Sequence, residues 1–261
     1  MLSREYIRKR EAFFSRLPLS SAAEKKAAKR QLQAIVLPIF EKYSRLMGVR
    51  PSKICFRPSK SRWGSCNYRL GHINLSYYLL LLPYICIEQV VVHELSHLLK
   101  HGHGRDFYAV HDKFFPARKQ SEKLIKDIFL KGFKAVKVSA AVIVHDGRVL
   151  ATQRSYGPHA GRWEFPGGKI EWGELPAEAL ARELSEEMPG EIKICSEYDV
   201  VEYTYPDFHI SMNCFLCNCK PETIVFKEHS DARWLGLDEL DSVGWLPADT
   251  GVLEKIKPLL K

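Results

Sequence analysis

Gly168-Lys169-Ile170-Glu171-Trp172-Gly173-Glu174-Leu175-Pro176-Ala177-Glu178-Ala179-Leu180-Ala181-Arg182-Glu183-Leu184-Ser185-Glu186-Glu187 is the stretch on which the reading of this 261-residue chain turns. On a helix, Glu183 and Glu187 stand four residues apart and Glu186 stands three from Glu183, so three carboxylates crowd one face. Left unneutralised, that face would repel itself. Hard divalent cations, which take oxygen ligands, resolve the repulsion. Gly167-Gly168 allows a tight loop just ahead of the helix, and its backbone groups can approach a metal or a phosphate closely. A merely solvated acidic face would need neither that loop nor Arg182 among its glutamates.

Upstream of this segment, Lys134 to His145 alternates as a strand, Asp146-Gly147 makes a hairpin turn, and Arg148 to Arg154 returns as the partner strand. Further back, Ser21 to Met47 reads as a helix. Ser20 or Ser21 can cap it, Leu32, Ile35, Val36, Ile39 and Phe40 recur at helical spacing, and Pro38 is expected to kink it. Short β-like pieces follow at 54–57 and 72–75. Pro83 divides the apolar segment Tyr77 to Leu99 into one helix and the next. An amphipathic helix from Phe114 to Phe129 ends at Lys131-Gly132, where the linker is placed, giving domains of residues 1–132 and 133–261. The length accommodates two cores.

Charge separates the same two halves. Residues 1–132 carry 25 Lys+Arg against 10 Asp+Glu, net +15, and residues 133–261 carry 14 against 21, net −7. The first half therefore admits a polyanion such as nucleic acid as partner, although Lys25, Lys26, Lys29 and Arg30 also fit a solvated helix face. Met1 to Arg10 holds no apolar run, and no later segment is long and apolar enough to span a bilayer, so a cytoplasmic location without a membrane partner is expected. The seven cysteines have no framework spacing and read as reduced thiols. In Cys214-x-x-Cys217-x-Cys219, residues three apart on a strand face opposite ways, so burial as small hydrophobes is expected there.

A second constellation lies in the basic half. Val90-Val91-Val92-His93-Glu94-Leu95-Ser96-His97-Leu98-Leu99 sets two imidazoles four residues apart on one helical face, the spacing at which both bind a single Zn²⁺. Glu94 lies beside them, where a general base for a zinc-bound water belongs. The flanks are strongly apolar, and uncompensated polar groups would be costly there. Gly102 and Gly104 let the chain turn back and bring His101 or His103 round as third ligand. The fourth position is left to water, as in a catalytic zinc site.

With these residues stand Ser61-Arg62-Trp63-Gly64-Ser65-Cys66, Gly71-His72-Ile73-Asn74-Leu75 and His103-Gly104-Arg105-Asp106-Phe107-Tyr108. Together the segments closely resemble the YgjP-like family of small zinc metallopeptidase domains over roughly residues 53–115. The resemblance implies an α+β zincin-like fold with His93, His97 and His103 as zinc ligands and Glu94 as catalytic residue. It leaves His101 and His111 as surface histidines. Gly104 replaces the family's usual small polar residue.

The glutamate segment resembles the Nudix box at every fixed position from Gly168 to Glu187. The flanking Trp163-Glu164-Phe165-Pro166-Gly167-Gly168-Lys169, Tyr205-Pro206-Asp207-Phe208-His209-Ile210, Lys227-Glu228-His229 and Leu246-Pro247-Ala248-Asp249 resemble MutT-like (deoxy)nucleoside triphosphate pyrophosphohydrolases. This implies an α/β/α Nudix sandwich hydrolysing a nucleoside triphosphate with Mg²⁺ or Mn²⁺. Glu183, Glu186, Glu187, Glu228 and the Gly168 carbonyl would hold metal. Glu186, Glu228 and Arg182 carry the chemistry, and Arg154, Lys169, Phe208 and Asp249 contact the nucleotide. The box departs from the pattern at its end, where Pro189 takes a glycine's place, so an altered helix terminus is expected.

MutT-type readers of oxidised guanine carry Asn where this chain has Asp249. An ionised Asp249 only accepts hydrogen bonds and suits an exocyclic amine such as that of cytosine, whereas burial that kept it protonated would restore a donor. Two other arrangements fit the same motifs: a Nudix enzyme with a nucleic-acid-binding or otherwise non-catalytic first half, and a nucleotide-sensing Nudix domain that regulates a peptidase.

Overall fold

The structure is a computed structural model and describes residues 4–261; Met1-Leu2-Ser3, where the basic amino-terminal stretch begins, lie outside the described residues. Contacts divide the chain into two units, one ending at Ala135 and the other spanning Val136–Lys261.

The first unit opens with helix α1 (Arg4–Phe14) and the long α2 (Ala22–Met47). Ser21 caps α2 reciprocally: its hydroxyl accepts the Glu24 N–H at 3.1 Å, and the Glu24 carboxylate accepts the Ser21 N–H at 2.7 Å. Gly48, at φ 66°, closes the helix in the left-handed conformation. The helix continues through Pro38, where one backbone hydrogen bond is forgone; Leu32, Val36 and Phe40 are buried on either side and keep the two parts seated.

Strands β1 (Lys53–Arg57), β2 (Gly64–Asn67) and β3 (His72–Ser76) form a sheet in the order β1-β3-β2. β1 runs parallel to β3 and β2 antiparallel to it, pairing Ser65 with Asn74. A 3-10 turn at Tyr77–Leu81 and then Pro83 lead into α3 (Tyr84–Ser96). α3 is apolar nearly all round and accordingly buried, with Ile87, Val91, Val92 and Leu95 inaccessible to solvent.

Two helices follow, α4 (Arg105–Phe114) and α5 (Arg118–Lys131). The sequence pattern predicts a single helix beginning at Phe114. Instead Phe115 precedes Pro116, which disfavours helical backbone and ends α4, so α5 restarts four residues later than expected.

In the second unit, β4 (Lys134–His145) and β5 (Arg148–Arg154) form the expected hairpin. Asp146 and Gly147 both adopt positive φ, 49° and 75°, the turn whose twist suits a two-residue connection. Short strands β6 (Trp163–Glu164) and β7 (Gly167–Lys169) pair with β5 and β4, respectively. Helix α6 (Pro176–Glu187) precedes the long hairpin β8 (Ile192–Thr204) and β9 (Phe208–Cys219); β10 (His229–Leu235) and α7 (Pro247–Ile256) complete the unit.

The main path of the sheet is β10-β5-β4-β9-β8. On one face Leu180, Leu184 and Met188 pack against Ala141, Ile143, Phe215 and Cys217. On the other, Val252, Leu253 and Ile256 of α7 pack against Val142, Val149, Met212 and Cys214. The result is a helix-sheet-helix sandwich. Cys214 and Cys217 serve opposite faces as buried thiols, as their spacing predicts, and all seven cysteines are free.

Candidate functional site

In the first unit, His93 lies in the last turn of α3, His97 caps that helix, and His103 stands just before α4. Their ring nitrogens all lie within 4.8 Å of one another, and His93 Nε2 is 3.0 Å from His103 Nε2. Two nitrogens on a tetrahedral zinc sit about 3.3 Å apart, so the set fits one ion. Phe107 of α4 floors the cluster, its ring centre 4.9, 4.6 and 5.0 Å from those of His93, His97 and His103. Burial together with the neighbouring imidazoles drives His93 down to about 3, and burial also lowers His97. Neutral imidazole is the form that binds metal.

Glu94 is 5% exposed, and its Oε2 is buried without a hydrogen-bond partner. Burial pushes its carboxyl up to about 8, with Arg62 opposing. Gly64 on β2 permits this placement, because a β-carbon there would stand 2.6 Å from Glu94 Oε1. A buried carboxyl with one orphaned oxygen beside this cluster of imidazoles suits a group that takes a proton from a metal-bound water.

His101 lies apart from the cluster, exposed and stacked on Tyr68 with ring centres 3.7 Å apart. His111 corrects the expectation of a surface position: it is fully buried, 5.9 Å from His93 between ring centres, because α4 turns that residue inward together with Phe107. Its Nδ1 is 3.3 Å from Asp112, whose carboxylate holds Arg118 through two contacts of 2.5 and 2.9 Å. Gly104 supplies no side-chain cap to α4, the local consequence of the polar residue missing there.

In the second unit, Gly167 and Gly168 thread β7 between β4 and α6. Gly167 has φ 149°, and a β-carbon on it would meet the Ser139 carbonyl at 2.1 Å; one on Gly168 would meet the Glu183 carboxyl at 2.2 Å. Arg182 fans across the acidic face. It donates to Glu174 at 2.8 and 3.0 Å, to Glu183 at 2.9 Å, to Glu186 at 3.4 Å and to the Lys169 carbonyl at 3.0 Å. These contacts hold Glu183 and Glu186 toward the guanidinium, and among the described residues only the three imidazoles draw their ligand atoms within 4.8 Å.

Glu187 faces a cleft it shares with Glu164, Glu228 and Arg154. Burial, then Glu183, Glu228 and Glu164, push its carboxyl up to about 7 against the pull of Arg154. A carboxyl raised by other carboxyls is the condition that a divalent cation relieves. Glu228 is held from one loop, accepting from Tyr156 Oη at 3.0 Å on its side chain and from Ser155 Oγ on its carbonyl. α6 stops at Glu187, with Met188 buried and extended in φ because Pro189 follows it. The carboxylates of α6 all precede that departure.

The remaining predicted contacts lie along the sheet. Phe208 stacks on Tyr205 with ring centres 4.5 Å apart. Asp249, 4% exposed at the start of α7, accepts the Phe165 N–H at 2.9 Å. Burial pushes Asp249 up to about 8, and Glu164 adds to the rise. Arg154 pairs with Glu164 at 2.6 Å. Lys169 is exposed on β7. Sequence reasoning assigned no role to Glu164, Tyr156, Tyr205 or Phe107. Glu164 reaches the site only because β6 pairs with β5, placing it opposite Thr152.

The comparisons divide at the same place. A model described as YgjP-like, metallopeptidase domain matches residues 18–127, and a NUDIX domain model matches residues 135–258. The 8-oxo-dGTP diphosphatase of Escherichia coli (strain K12) is 33% identical over 128 residues, covering 48% of this chain and 99% of that protein. The chain belongs to the Nudix hydrolases. The CTP pyrophosphohydrolase of the same organism is 32% identical over 139 residues, covering 48% of this chain and 94% of its own length. The solution structure of MutT from methicillin-resistant Staphylococcus aureus 252 shares 32% identity, covers 48% of this chain and 97% of that one, and has a TM-score of 0.41. The second unit is thus a Nudix enzyme, joined to a unit that matches a metallopeptidase family.

Proposed function

We propose that the Nudix unit hydrolyses (deoxy)nucleoside triphosphates, modified or oxidised ones included, to the monophosphate and pyrophosphate with Mg²⁺ or Mn²⁺. The observation that carries this is the Glu187 carboxyl, raised to about 7 in a cleft it shares with Glu228, Glu164 and Arg154. Glu183, Glu186, Glu187, Glu228 and the Gly168 carbonyl would hold the cation, which when bound supplies charge to the phosphates and acidity to a water. Arg182 keeps Glu183 and Glu186 oriented, Glu186 and Glu228 would take the water's proton, and Arg154 and Lys169 would offer charge to the substrate. Residues 1–132 are proposed as a zincin-like zinc-dependent hydrolase, a peptidase by family, with Glu94 as its base; residues 133–261 act independently of it.

The buried Asp249 alters the reading of base choice. Held protonated at neutral pH, it offers one acceptor and one donor, the inventory of an asparagine, so the accept-only argument for cytosine applies once it ionises. The test is kcat/KM for the cytosine, 5-methylcytosine and 8-oxoguanine deoxynucleoside triphosphates, for the native chain and Asp249→Asn, below and above pH 8. At pH 7 the two proteins should rank these substrates alike. Above pH 8 they should part by about 1–3 kcal/mol, the scale of one base contact, with the aspartate favouring cytosine. An absence of Mg²⁺-dependent hydrolysis of any triphosphate refutes the main reading.

A further inference from the structure

The first unit contains a cavity of about 450 Å³ whose wall the histidine cluster does not share. Four cations border it: Arg10 from α1, Lys60 and Arg62 from the segment between β1 and β2, and Lys126 from α5. Among the described residues none of the four has a carboxylate within ion-pair distance. The one acid on the rim, Glu122, is engaged by the Arg118 guanidinium at 3.2 and 3.3 Å. Arg10 donates to the Lys60 carbonyl at 2.8 Å, which ties α1 to the loop. The apolar part of the wall combines Ile125 and Leu130 with three aromatic rings. Phe14 lies between Trp63 and Phe129, with ring centres 6.1 and 5.9 Å from theirs.

We propose that this cavity is a binding groove for single-stranded nucleic acid. A single carboxylate or phosphate would satisfy one or two cations. Four with no carboxylate at ion-pair distance, in a half carrying net +15, match a ligand that repeats its negative charge. The partly exposed rings of Trp63 and Phe129, backed by the buried Phe14, supply what a phosphate track alone does not, a surface on which bases stack. A duplex hides its base faces inside its own stack, so this wall serves a single strand. The inference goes beyond the proposed hydrolytic activities and holds whether or not the zinc unit cleaves anything.

The experiment measures fluorescence anisotropy of a labelled oligo(dT) of about 15 nucleotides, within the site sizes of single-strand binders, with the full-length, zinc-loaded protein over a series of salt concentrations. Lys60→Glu/Lys126→Glu should raise Kd about tenfold or more near 0.1 M salt. Lys60→Gln/Lys126→Gln should flatten the log Kd against log salt slope by about 1.4, the loss of two phosphate contacts. Lys25→Glu/Lys29→Glu, the same charge change on α2 outside the groove, should move Kd less than threefold. Arg62 is left untouched because it faces Glu94, and unchanged zinc content confirms that each variant's first unit has folded. The proposal is overturned by absence of binding, by equal weakening in both lysine pairs, by equal affinity for duplex of the same length, or by displacement of the oligonucleotide with inorganic phosphate at equal phosphate concentration.

Discussion

The two candidate metal sites solve one problem, gathering like groups around a small volume, by opposite means. At the first, the groups are imidazoles, and packing favours the neutral form of two of them. His93 and His97 sit at the end of a helix buried nearly all round and against Phe107, so burial lowers both before they can repel. At the second, the groups are carboxylates on a half-exposed helix face, and Arg182 answers their charge with its own. A site assembled by apolar packing depends on its neighbours' shapes, whereas one assembled by charge depends on its counter-ion.

The largest break in this comparison should come from His97→Ala. Elemental analysis should show zinc falling from one per chain to none, with Mg²⁺-dependent triphosphate hydrolysis unchanged; Glu94→Gln should keep the metal. Zinc retained at full occupancy in His97→Ala would remove that residue from the ligand set. Next in size, Glu187→Gln should lower kcat/KM for the triphosphate by about 10²- to 10⁴-fold, the range of a lost acid-base or ligating group, and leave zinc untouched. A loss under tenfold would place the essential carboxylate elsewhere.

A smaller effect should appear in stability. Asp249 ionises near 3.8 when unfolded and near 8 when folded, so between those values the folded chain holds a proton that the unfolded chain has released. The Nudix unit should therefore lose stability as pH rises from about 4 to about 8, by several kcal/mol at most. Urea titrations of Asp249→Asn should show a shallower slope, the remainder belonging to Glu164 and Glu187, which burial also raises. Equal slopes would mean that Asp249 is ionised in the fold. The smallest change belongs to Tyr156→Phe, which removes one exposed hydrogen bond to Glu228 and should raise the Mg²⁺ concentration for half-maximal rate by a few-fold, about 1 kcal/mol.

Both candidate sites were legible in the sequence because each is written locally. His93, Glu94 and His97 lie on a single helix, as do Arg182, Glu183, Glu186 and Glu187, and helical spacing alone brings them together. The hairpin at Asp146-Gly147 and the capped start of α2 were legible for the same reason. What was hidden depends on pairing between distant segments. Glu164 enters the site through the β5–β6 register, Tyr156 through a loop that meets Glu228 from across the cleft, and Phe107 through α4, a helix the sequence pattern did not mark. His111 was misplaced because its burial is set by the packing of α4 on α3, to which its neighbours in sequence give no periodic clue.

Gly167 carries a consequence for the history of this chain. At φ 149°, with a carbonyl 2.1 Å from where a β-carbon would stand, it leaves no room for even a methyl group. A neighbouring position can drift through residues of similar size, each step tolerated, but here every single replacement is a step off a ledge. Among descendants of this sequence, the residue at 167 should thus behave as an all-or-none marker. Copies that keep the glycine can still thread β7 beside α6, and copies that have lost it have given up the Nudix reaction, whatever remains of their glutamates.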